Sequence, residues 1–151
     1  MVHFAGHGLA FPNAEEESFL ALDLDAEPKQ TLTVEGISSQ PRPLELLVLS
    51  ACETHAGKVD QSEGVISLAR SATLAGARSV VSTLWQVPQK DKPGFFEDYY
   101  QFLTSGAPRS EALCLAQRKL LARSPKLNHP YYWAAYINLG DGGPIPEELL
   151  P

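Results

Sequence analysis

The chain has 151 residues, of which 44% are hydrophobic, enough for one domain with a sizeable core. Its net charge of −6, with positive residues scattered rather than clustered, argues against a nucleic-acid partner. Two cysteines make no disulfide framework and point to a reducing compartment, the cytoplasm; no stretch approaches the roughly 18 apolar residues of a membrane span.

Met1-Val2-His3-Phe4-Ala5 reads as a strand from the first residue, ending in Gly6-His7-Gly8. Domains rarely open inside a strand, so the chain is expected to be the C-terminal portion of something longer. Phe11 to Ser18, with Pro12, Asn13 and three glutamates, reads as a loop. Phe19 to Asp23 alternates as a half-exposed strand does, and Thr31 to Val34 is expected to pair with it across Glu27-Pro28-Lys29. Leu44 to Leu49 is a nearly continuous aliphatic run, the pattern of a strand buried on both faces of a parallel sheet.

After the polar, loop-like residues 53–63, the spacing of Val65, Leu68-Ala69, Ala72 and Ala75 predicts a helix that starts after Ser62 and closes at Gly76. Ser79 to Leu84 is the next buried strand. Pro93 to Leu103 predicts a helix with Phe95, Tyr99 and Phe102-Leu103 on one face, ended by Gly106. Pro108 suits the start of another helix, running to about Ala122 with Ala112, Leu115-Ala116 and Lys119-Leu120 in phase. Cys114 lies in that helix between Leu113 and Leu115 and is expected in the core. Tyr132 to Leu139 is expected as the last strand. Residues 1–141 then form one domain, and the Gly-Gly-Pro segment in 142–151 reads as a flexible tail.

This order is α/β, with strands joined through helices and therefore mainly parallel. Ligands of such sheets bind outside the carboxyl ends of the strands. His7 and Cys52 each fall just past such an end. If their strands are parallel neighbours, both side chains reach one rim. There an imidazole can raise the thiolate fraction of a cysteine, and the N–H groups of Gly8 and Cys52 can serve as oxyanion donors. Taken alone, Cys52 reads better as the inert buried thiol that most free cysteines are. His55, three residues from Cys52, is a competing base on a less fixed segment. His3 reads as a hydrogen-bonded core histidine, and His129 as the anchor before the last strand. His3, His7, Cys52 and His55 are zinc-ligand types without the usual pair spacing, so neither metal nor cofactor is expected. Trp85 reads equally as cleft lining or as packing at the sheet end.

Four blocks, HFAGHG (His3 to Gly8), LSACET (Leu49 to Thr54), EGVISLARSATLAGARSVVSTLW (Glu63 to Trp85) and HPYYWAAYINLGD (His129 to Asp141), resemble the CHAT domain, a caspase-like family related to separase, caspases and gingipains. The resemblance implies a caspase-like three-layer α/β/α sandwich whose first strands would precede Met1, which leaves Met1 to Ala5 at an exposed edge. It also implies a cysteine endopeptidase with His7 as base and Cys52 as nucleophile. That enzyme forms a thioester and grips its peptide substrate along Trp85-Gln86-Val87. CHAT domains are often attached to tetratricopeptide repeats, so such repeats or another regulatory region are expected upstream. Family members usually carry an acidic residue where Pro88-Gln89 stand; here the nearest is Asp91. The alternative is a catalytically silent caspase-like interaction or scaffold module.

Overall fold

The aliphatic run becomes the centre of a four-stranded sheet. The computed structural model describes residues 1–5, 7–9, 19–23, 26, 28, 30–39, 44–50, 61–85, 87 and 92–150. In it β5 (Leu47–Leu49) is flanked by β1 (Val2–Phe4) and β6 (Ser79–Thr83), and β7 (Tyr136–Gly140) completes the order β1-β5-β6-β7. The first three are mutually parallel and β7 is antiparallel to β6. A second sheet holds β2 (His7–Leu9), β3 (Phe19–Asp23) and β4 (Gln30–Thr33) in antiparallel order.

The helices are α1 (Val34–Ser38), α2 (Gln61–Leu74), α3 (Lys92–Thr104), α4 (Arg109–Arg123) and α5 (Pro130–Trp133). Alternation along β5 sends its residues to opposite faces. Leu46 and Val48 join Val81, Phe95, Tyr99, Leu103, Ala116 and Leu120 on the α3/α4 side. Leu47 and Leu49 join Leu20, Ile37, Leu68, Ala72 and Val80 on the α2 side. The sheet is therefore covered on both faces, and the α/β expectation with a mainly parallel sheet holds. At its centre Leu46, Leu47, Val48, Val80 and Val81 are all fully buried. Val2 and His3 of β1, and Met1 before it, are exposed at the sheet edge.

Four local expectations change. Val34 leaves the expected strand because the Thr33 hydroxyl accepts the Gly36 N–H (3.1 Å), capping α1. Tyr132 and Trp133 are helical, since His129 caps α5 through its Nδ1 (3.2 Å from the Tyr131 nitrogen) with Pro130 in its first turn; β7 starts at Tyr136. Cys114 is exposed, not core. Residues 142–150, read as a flexible tail, make defined contacts. Gly143 and Gly142 carbonyls accept the first N–H groups of α4, from Arg109 (3.0 Å) and Ser110 (3.1 Å), where Pro108 offers no capping side chain. Ile145 is buried beside them.

Candidate active site

The rim is set by the register of β1 on β5. Val2 opposes Leu47, His3 opposes Val48 and Phe4 opposes Leu49. The ladder extends one step further, since the Ser50 N–H donates to the Phe4 carbonyl (2.8 Å). The two strands thus end level with each other. His7 follows Phe4 by three residues, and Cys52 follows Leu49 by three. Three residues span at most about 11 Å, the reach of the chain from either strand end.

His7 itself begins β2, paired with Ala21, and Gly8 pairs with Leu20. His7 and Gly8, expected from the sequence only as the end of the first strand, instead form a strand of a separate sheet. Cys52, the competing base His55, and Gln86 lie outside the described residues, as do Pro88 to Asp91, where the displaced acidic residue falls.

The described part of the rim continues along β6. Leu84 is still paired beyond the strand end, its N–H donating to the Ala135 carbonyl (2.8 Å). Trp85 is half-buried against the α3/α4 cluster, and its indole N–H donates to the Tyr131 carbonyl (2.7 Å). Val87 has its side chain in that same core, 1% exposed, so only its backbone remains for an extended ligand. Trp85 and Tyr131 form an offset near-parallel ring pair, centroids 6.5 Å apart and planes at 23°. Sequence reasoning missed Tyr131 because it expected a strand to begin at the next residue, Tyr132; the signal was His129-Pro130, a capping residue followed by a proline at the first helical position.

His3 lies apart from this arrangement. On the edge strand its Nδ1 shares a proton with the Tyr100 hydroxyl (2.8 Å), and its ring leans on Phe96 (4.8 Å). Burial of the ring pushes its pKa below the ordinary histidine value and pushes the Tyr100 hydroxyl up. It is hydrogen-bonded, as expected, but at the exposed edge rather than in the core. His129 serves as the α5 cap. No group of three or more potential metal-ligating side chains occurs among the described residues, and no helix among them is long and apolar enough to cross a membrane.

A family model described as "CHAT domain" matches residues 1–141. The chain is similar to tetratricopeptide repeat protein 28 of Homo sapiens, 33% identical over 118 residues, which cover 77% of this chain and 5% of that protein. It is likewise similar to tetratricopeptide repeat protein 28 of Mus musculus, 32% identical over 97 residues, covering 64% of this chain and 4% of that protein. The matched region is thus a small part of either relative.

Proposed function

The chain belongs to the CHAT domain family, and on that premise we propose that it is the catalytic part of a caspase-like cysteine endopeptidase. His7 takes the proton from the Cys52 thiol. The thiolate attacks the carbonyl carbon of the scissile peptide bond, and the N–H groups of Gly8 and Cys52 hold the resulting oxyanion. Collapse breaks the C–N bond, the His7 imidazolium protonates the leaving amine, and a thioester remains. Water, deprotonated by His7, then attacks the thioester, releases the acid and returns the proton to the thiol.

The observation that supports this reading is the in-register parallel pair of β1 and β5, two strands that end level and that His7 and Cys52 each follow by three residues in the sequence. The substrate is a protein or peptide laid along Trp85-Gln86-Val87. The relatives' names support tetratricopeptide repeats upstream of the domain, and a catalytic thiol suits a cytoplasmic setting. Peptide libraries incubated with the protein and its Cys52→Ala variant test the assignment: cleavage should vanish in the variant, and cleavage that survives sinks it.

A second reading, a silent interaction module, draws on the same relatives, since repeat arrays present extended binding surfaces. Alkylation separates the two. Cys114 is exposed and open to the same reagent, so total labelling is uninformative. An activated Cys52 keeps reacting with iodoacetamide near pH 6, where an ordinary thiol of pKa about 8.5 is almost fully protonated. A Cys52 whose labelling falls away at that pH, as a free thiol's does, favours the silent module.

A further inference from the structure

Resting on the peptidase reading above, we infer that Tyr131 and Trp85 together form a subsite for an apolar side chain flanking the scissile bond, with Tyr131 determining the preference. Trp85 leaves β6 two residues after Thr83, at the carboxyl-end rim shared with β1 and β5. The α5 helix is fastened to that point twice, through the indole N–H on the Tyr131 carbonyl (2.7 Å) and the Leu84 N–H on the Ala135 carbonyl (2.8 Å). Both fastenings use the backbone of the 131–135 segment, so the Tyr131 ring is placed without itself being the fastener.

The ring lies at the surface, 43% exposed, beside the half-buried indole. The single polar atom of the indole is already consumed by the Tyr131 carbonyl. What the indole still offers is ring surface, which favours an aliphatic or aromatic group over a polar one. Val87 is core, and on the peptidase reading this wall stands beside a peptide laid along Trp85-Gln86-Val87.

The test measures binding apart from chemistry. Fluorescein-labelled peptides differing only in Leu, Ser or Lys at one position are titrated into the full Cys52→Ala chain, which cannot turn them over. The leucine peptide should bind about tenfold or more tightly than its serine and lysine partners. Tyr131→Ala should erase that preference, and Tyr131→Phe should keep it. Tyr131→Ala retains the backbone carbonyl that fastens Trp85, and its melting curve confirms that it is folded. A preference unchanged in Tyr131→Ala, no preference in the parent chain, or no binding of any peptide overturns the subsite. The peptidase reading is judged separately by Cys52-dependent cleavage in the wild-type chain, so either can fail without the other.

Discussion

Arg109 is the first residue of α4, and its side chain is fully buried. One guanidinium nitrogen pairs with the Glu45 carboxylate just ahead of β5. The other donates to the Gly143 (2.9 Å) and Pro144 (3.2 Å) carbonyls and lies 3.5 Å from Asp141, directly after β7. One cation thus ties α4, the entry to the central strand and the C-terminal segment. Arg109→Met keeps much of the bulk and removes the charge. Losing one partner of a buried pair costs about 3–5 kcal/mol when the other charge is stranded. Glu45 is not fully stranded, because Arg78 stays 3.3 Å away, though that side chain is 55% exposed and its pairing is screened. The lower end, about 3 kcal/mol, is therefore expected, with a fall in Tm of roughly 6–12 °C for a domain of this size. Arg109→Lys should fall between, since an ammonium cannot reproduce the fork. Arg109→Met combined with Glu45→Leu should recover part of the loss. Urea unfolding with a common m value reads all three. An Arg109→Met chain within about 1 kcal/mol of wild type would show that the network is decoration.

His3 gives a pH dependence. Burial lowers its pKa in the folded chain below the unfolded value of about 6.5, so between the two the unfolded state binds more protons and stability rises with pH. The contribution is complete above about pH 6.5 and is lost as pH falls through the lower folded value; the stability difference between wild type and His3→Gln, followed by urea melts from pH 7.5 to 5, should narrow on acidification, and a flat difference would refute it. Gly140 and Gly76 both have positive φ, +82° and +104°. A Cβ at Gly140 would collide with the Arg78 carbonyl, whereas at Gly76 it meets nothing within 4 Å. Gly140→Ala should therefore cost clearly more than the roughly 1 kcal/mol expected of Gly76→Ala, and equal costs in thermal melts would contradict the crowding argument.

The parts of the fold legible in the sequence are those where one local pattern dominates. Leu46 to Leu49 could only be a strand covered on both sides, and both clusters of the core meet on it. The α2 and α3 periodicities likewise survive, because Leu68, Ala69 and Ala72, and Phe95, Tyr99 and Leu103, face the sheet. What failed depended on phase or on distant partners. Cys114 was read from its apolar neighbours, but at 100° per residue it sits about 200° from Ala112 and Ala116, the buried line of α4. The tail looked free because its Gly-Gly-Pro composition says nothing of the orphan N–H groups at Arg109 and Ser110 that it caps. At the site, the rim was legible because strand ends follow from hydrophobic runs. The second sheet's claim on His7 and Gly8 was not, since a three-residue strand carries almost no periodicity.

On the peptidase reading the site is divided between two sheets, and that division has a mechanical consequence. Cys52 follows β5 of the four-stranded sheet, whereas His7 and Gly8 belong to β2 of the other. A proton transfer and an oxyanion contact tolerate little drift, and a misplacement of about 1 Å can cost 10²-fold in rate. Something must hold the sheets in fixed relation, and Leu20 is placed to do so. It is fully buried on β3 opposite Gly8, and its side chain belongs to the same cluster as Leu47 and Leu49 of β5. Leu20→Ala opens a cavity at that joint, with an expected loss of about 2–5 kcal/mol. Leu120→Ala makes the same deletion on the other face of the sheet, in the α3/α4 cluster, and should destabilise to a similar degree. On the peptidase reading their kinetics should differ. At a temperature where both variants are folded by circular dichroism, Leu20→Ala should lower kcat by about tenfold or more, with KM changed less, while Leu120→Ala stays near wild type. Equal turnover in the two variants would refute the role given to Leu20.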